Sequence, residues 1–151
     1  HPEAAVGILT YAQQHLGADA VQSRETWFEK LNRWEDALEA YERRQIETHH
    51  RMSDVMRSWH EADSAADTAR TGELVTEFEH LEEQFVDVAI GRMRCLQALG
   101  EWKLLLHLVR DLEPRMQGTR RDDGTIREKM VRARSHCAHF GARAAWALGS
   151  W

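Results

Sequence analysis

The sequence predicts an all-α fold, an irregular tetratricopeptide-like α-solenoid of antiparallel helix pairs, and three observations carry that reading. Apolar residues recur at steps of three and four along most of the chain, whereas period-two alternation is nowhere sustained. Only two prolines occur in 151 residues, and the nine glycines cluster near apparent helix ends, so little interrupts long helices. A short corner also recurs three times, as "LNRW" at 31–34, "LGEW" at 99–102 and "LGSW" at 148–151.

Each element has its own justification. Pro2 suits the first turn of a helix running to about Leu16, and Gly17 suits its C-terminal end. A short helix is expected over about 23–31. Asn32 and Arg33 then turn the chain, and "WEDALEAYERR" starts the next helix with acidic residues in its first turn, where the helix dipole favours them. That helix is expected to reach about His60. A flexible loop is expected over 60–72, because "HEADSAADTARTGE" offers few apolar side chains.

Leu74, Phe78, Leu81, Phe85, Val88 or Ala89, Met93, Leu96 and Leu99 then mark a long helix over about 73–99. Trp102, Leu105, Leu106, Val109 and Leu112 mark another over about 102–116. A third is expected over about 125–148, with Ile126, Met130, Ala133, Cys137, Phe140, Ala144 and Leu148 on one stripe. The loop before it is "TRRDDGT" at 119–125.

The corners share a chemistry. Leu31, Leu99 and Leu148 close a helix, and Trp34, Trp102 and Trp151 open the next. Between them stand Asn32, Gly100 and Gly149, residue types that tolerate the left-handed conformation a sharp reversal needs. Ala37 and Tyr41 complete a tetratricopeptide-like pattern in the first unit, with Ala37 the small residue where two helices approach closely. Trp34 and Trp102 are 68 residues apart (102 − 34), twice a tetratricopeptide unit, and Trp102 and Trp151 are 49 apart (151 − 102). The longer gap reads as one unit plus an insertion of about a unit's length, where the polar middle of the chain falls. Residues 1–151 form a single helical-repeat segment on this reading, and Trp151, opening a helix that does not follow, marks it as part of a longer solenoid.

Composition narrows the functions. Residues 1–100 hold 10 Lys and Arg against 19 Asp and Glu, and residues 101–151 hold 10 against 6, so an acidic part precedes a basic one. Cys95 and Cys137 lie among apolar residues, as small buried hydrophobes of a reducing, cytoplasmic setting would. No run of about 18 apolar residues is present, so no transmembrane segment is expected.

Candidate chemical sites are weak. His136, Cys137 and His139 do not converge on one helix face as zinc ligands must, and His49, His50 and Asp54 are no better. Glu77, Glu79, Glu82, Glu83 and Asp87 read as a solvated face. Arg115, Arg120, Arg121, Arg127, Lys129, Arg132 and Arg134 form a basic set, but without interleaved exposed aromatics nucleic acid is not expected. Trp27, Trp34, Trp102 and Trp146 are expected in the core. Trp59, in the polar middle, is the candidate partner contact.

The strings "WFEKLNRWEDALEAYERR" and "GRMRCLQALGEW", with "PEAAVGILTYAQQHLG" before and "ARAAWALGSW" after, resemble consecutive helical repeats of the FAT region of target of rapamycin kinases, in the phosphatidylinositol 3-kinase-related protein kinase family. The resemblance implies a parent that phosphorylates Ser and Thr with ATP and magnesium in nutrient and growth signalling, in the cytoplasm or recruited to endomembranes. It implies that this segment helps clamp the kinase domain, with other repeats and complex subunits as partners, and that residues at about 45–80, where the family's connection is much shorter, are an insertion. No catalytic, cofactor or metal residue is expected here, since the Gly-rich phosphate loop and the "HRD" and "DFG" motifs are missing. The alternative is a free-standing tetratricopeptide-like adaptor that binds a peptide or partner helix.

Overall fold

The computed structural model describes residues 23–116 and 127–149, together with 3, 4, 7, 8 and 11, which are helical and exposed. Five helices are laid out in full among the described residues: α1 (Arg24–Lys30), α2 (Trp34–Ser64), α3 (Thr68–Leu99), α4 (Trp102–Leu112) and α5 (Glu128–Ala147). A 3₁₀ turn, Glu113–Met116, follows α4. There Pro114, which lacks a backbone N–H and crowds the preceding turn, ends the helix short of the expected residue 116. No strand occurs among the described residues, and the fold is an all-α helical repeat.

Three corners between helices are built alike. Asn32, Ala66 and Gly100 have φ of 56°, 54° and 73°, in the left-handed region. At each, the residue's N–H is given to the carbonyl three back, and the N–H of the next residue to the carbonyl five before it: Arg33 to Phe28, Asp67 to Ala62, Glu101 to Leu96. This pairing satisfies carbonyls that a helix end would otherwise leave orphaned. Gly149, φ 69°, ends the turn after α5, and Trp151 lies outside the described residues.

The loop expected over 60–72 is absent. α2 runs on to Ser64, a three-residue corner follows, and Asp67 caps α3 by accepting from the Arg70 N–H at 3.1 Å. Ala66 falls midway between the other corners, at a step of 34 residues each way (66 − 32 and 100 − 66). Each step holds one long helix and one corner.

α2 and α3 therefore form a long hairpin, and its seam has a seven-residue repeat. On α2 the residues turned inward are Leu38, Tyr41, Gln45, Thr48, Met52, Val55, Trp59 and Ala62; on α3 they are Leu74, Phe78, Leu81, Phe85, Val88, Arg92, Cys95 and Leu99. Steps alternate between three and four, the spacing that keeps two helices in contact as an antiparallel coiled coil. Register is set by a polar layer, in which Arg92 donates to Gln45 at 2.7 Å and to Glu42 at 3.3 Å. Thr48 is buried too, and returns its hydroxyl to the Arg44 carbonyl at 2.9 Å.

α3 is also packed by α4 and α5. One core joins Met52, Leu81, Phe85, Met93, Leu105 and Phe140, and a smaller one gathers Phe28, Ala37, Tyr41, Val88 and Cys95.

Two outcomes follow for the corners. Gly100→Val should destabilise by about 1 kcal/mol or more in chemical unfolding, since a branched side chain is strained at this φ. At limiting trypsin, Arg57 and Arg70, which flank the Ala66 corner, should survive as long as the hairpin does; an early cut at either would show that the corner opens.

Candidate functional site

The residues of the two motif strings meet at one place, where α1 crosses the base of the hairpin. Ser23 caps α1 by accepting from the Thr26 N–H at 3.4 Å, and this short helix carries Phe28 inward and Glu29 towards α3. Ala37, fully buried on α2, keeps the crossing close. Tyr41, one turn on, is 6% exposed and lays its ring on the backbone of Gly91, where any Cβ would collide with it. Only glycine leaves room there.

The Tyr41 hydroxyl donates to Glu29 Oε1 at 2.5 Å, and Arg94 grips the same carboxylate through Nε and Nη2 at 3.1 and 3.0 Å. Arg94 Nη2 also donates to the Tyr41 oxygen at 3.2 Å. Three helices are thus joined by one carboxylate. Burial, then hydrogen bonding to Glu29, pushes the Tyr41 phenol well above its usual value of 10 and keeps it a donor. Cys95 packs beside it, its thiol pushed up by burial to about 12, which suits a packing residue and not a nucleophile.

Each residue of "GRMRC" therefore has a separate task. Gly91 seats Tyr41, Arg92 sets the hairpin register, Met93 fills the main core, Arg94 binds Glu29, and Cys95 fills the smaller core.

A second tie joins the acidic and basic parts of the chain. Arg127, buried just before α5, donates to Glu82 at 2.6 Å and to the Glu79 carbonyl at 3.0 Å. Lys129 lies 3.6 Å from Glu83 and 3.7 Å from Asp87. The acidic run is therefore not simply a solvated face: Glu82, Glu83 and Asp87 receive α5, and Glu77 stays exposed. A buried guanidinium left without its carboxylates would be costly, so this pairing fixes where α5 lies.

The remaining candidates are dispersed. Arg115 stacks over Phe85 at 4.7 Å, Arg132 pairs with Glu128 in its own helix, Arg134 is exposed, and Arg120 and Arg121 lie outside the described residues. Cys137 is buried against Met116, while His136 and His139 lie exposed beside Phe140. Among the described residues no group of three His, Cys, Asp or Glu could hold a metal ion. Leu31, Trp34, Leu99, Trp102 and Leu148 are half-buried.

Trp146 is not in the core as expected but 71% exposed. It stands two residues beyond the buried Ala144, about 200° round the helix from the inward stripe. Trp59 is half-buried and lines a groove of about 280 Å³ near the far end of the hairpin, with Val55, Met56, Leu74, Val75 and Phe78. A polar cleft of about 520 Å³ lies along α1 and α2, and the charges on it include an Arg44–Glu25 pair at 3.6 Å and an Arg43–Glu39 pair at 3.0 Å.

Tyr41→Phe should cost about 1.5–3 kcal/mol in urea unfolding, the net worth of a hydrogen bond to a charged group. The sign with pH is fixed: because the folded phenol titrates above 10, its stabilisation is complete below pH 10 and lost as the pH rises beyond it. Stability of the Phe variant should fall less steeply above pH 10.

Comparison with known proteins gives a consistent picture over nearly the whole chain. It is 36% identical over 149 residues to the serine/threonine-protein kinase TOR of Oryza sativa subsp. japonica, 34% to that of Arabidopsis thaliana and 32% to TOR2 of Saccharomyces cerevisiae. In each case 99% of this chain is covered, and it spans 4% of the relative's length. No family model matches, and no solved structure does. The helical stretch shared with these relatives is not their kinase domain. Matched from end to end to one short stretch of proteins that carry the same name, the chain is a segment of a TOR-type protein.

Proposed function

We propose that the segment is a non-catalytic scaffold of the FAT-region kind, whose helical repeats help clamp the kinase domain of the parent and organise its assembly in nutrient and growth signalling. One observation carries this reading: residues of the two strings that resemble the FAT region are spent on joining helices, through the Glu29, Tyr41 and Arg94 junction and the Gly91 seat. Such a joint holds a shape, and its groups are engaged with one another.

On this reading phosphoryl transfer, with ATP and magnesium, belongs to the parent's kinase domain. The neighbours of this segment are the remaining repeats of its own chain, that kinase domain, and protein subunits of a TOR-type complex. The parent works in the cytoplasm and is recruited to endomembranes through the complex.

The test is made in the full parent kinase. Arg94→Met, which releases Glu29 and Tyr41, should reduce the recovery of partner subunits and lower kcat for a protein substrate, leaving the KM for ATP unchanged. A variant that assembles and phosphorylates as well as the wild type would overturn the scaffold role, and so would phosphotransfer by the segment alone.

A further inference from the structure

The groove near the hairpin's far end is lined by apolar side chains apart from Glu79, whereas a second opening on the seam, of about 350 Å³, is bordered by Glu42, Gln45, His49 and Arg92. Nearer the base, α5 is tied to α3 through Glu79, Glu82 and Arg127. Beyond that level Val55, Trp59, Leu74 and Phe78 continue the seven-residue seam, while Met56 and Val75 stand beside it, 41% and 47% exposed. Two apolar side chains on facing helices thus flank an open trough of about 280 Å³, room for one or two large apolar side chains. A trough of that form along a two-helix seam is filled by the apolar stripe of a third helix.

The surrounding charge selects the occupant. The basic side chains of this end, Arg57 and Arg70, are held by Asp54 and Glu73 at 3.4 and 3.1 Å. Glu61, Asp63 and Glu77 remain exposed, and Glu79 lines the trough. A second copy of the same end would bring these carboxylates against their equivalents, which disfavours self-pairing. A helix with basic flanks gains from them.

We propose that this trough is a docking site for an amphipathic helix of a partner protein, with apolar residues at steps of three and four and Lys or Arg beside them. Met56, Trp59, Val75 and Phe78 would contact the apolar stripe, and the carboxylates would orient the ends. Docking here goes beyond the scaffold reading and stands or falls separately, because direct binding is measured whatever the parent's activity.

The experiment is selection of random 16-residue peptides from a display library on the full parent chain, with counter-selection on the Met56→Glu, Val75→Glu double variant. Both positions face solvent, so the variant should keep wild-type helicity by circular dichroism; Val75→Lys is a second variant should it not. Enriched peptides should carry helical apolar spacing with basic flanks. Their synthetic forms should lose at least tenfold in affinity for either variant, weaken with salt, and bind Leu104→Glu, an exposed position on another helix, like the wild type. The proposal is overturned by enrichment of acidic or non-helical peptides, by no enrichment over the variant, by equal affinity for the variants, or by self-association of the chain that Met56→Glu abolishes.

Discussion

The hairpin depends on one shared carboxylate. Glu29, on a helix of only seven residues, is held by the Tyr41 hydroxyl from α2 and the Arg94 guanidinium from α3. A helix this short has little stability of its own and persists through what it packs against. The junction therefore works in both directions: it secures α1, and it fixes the base of the coil beside the Gln45–Arg92 layer that sets the register. Gly91 belongs to the same constraint, since without its missing side chain the Tyr41 ring would have no seat.

What the sequence could disclose followed from how local each cause is. Helices with an unbroken apolar stripe, such as α4 and α5, were legible, and Asn32 and Gly100 declare their turns by residue type. Ala66 does not, because alanine gives no turn signal; only its position midway between the other two corners, and Asp67 as a cap, point to it. Composition misled in the same region. Polar residues at seam positions, Gln45, Thr48 and Arg92, interrupt the apolar pattern by which a long helix is recognised, and Gln45 and Arg92 meet only across the hairpin.

The functional residues followed the same rule. Nothing near Arg127 in the sequence foretells that it will reach Glu82 and the Glu79 carbonyl, 45 and 48 residues away. The uneven charge along the chain was the available hint: an acidic part and a basic part that meet in the fold as α3 and α5. Trp146 shows the converse, a residue type that usually signals burial, carried outward by the turn of its helix. Trp59, by contrast, stood out for being aromatic in polar surroundings, and it lies on the seam.

The seven-residue repeat of the hairpin has a consequence for its length. An α-helix turns about 100° with each residue, so adding or removing one residue in either strand between the Gln45–Arg92 layer and the Ala66 corner would swing everything beyond it sideways. Seven residues in each strand would instead carry the far end outward by about 10 Å with its aspect almost unchanged. Descendants of this sequence can thus vary the reach of the hairpin in whole heptads while its tip keeps looking the same way, and any other change of length re-aims it.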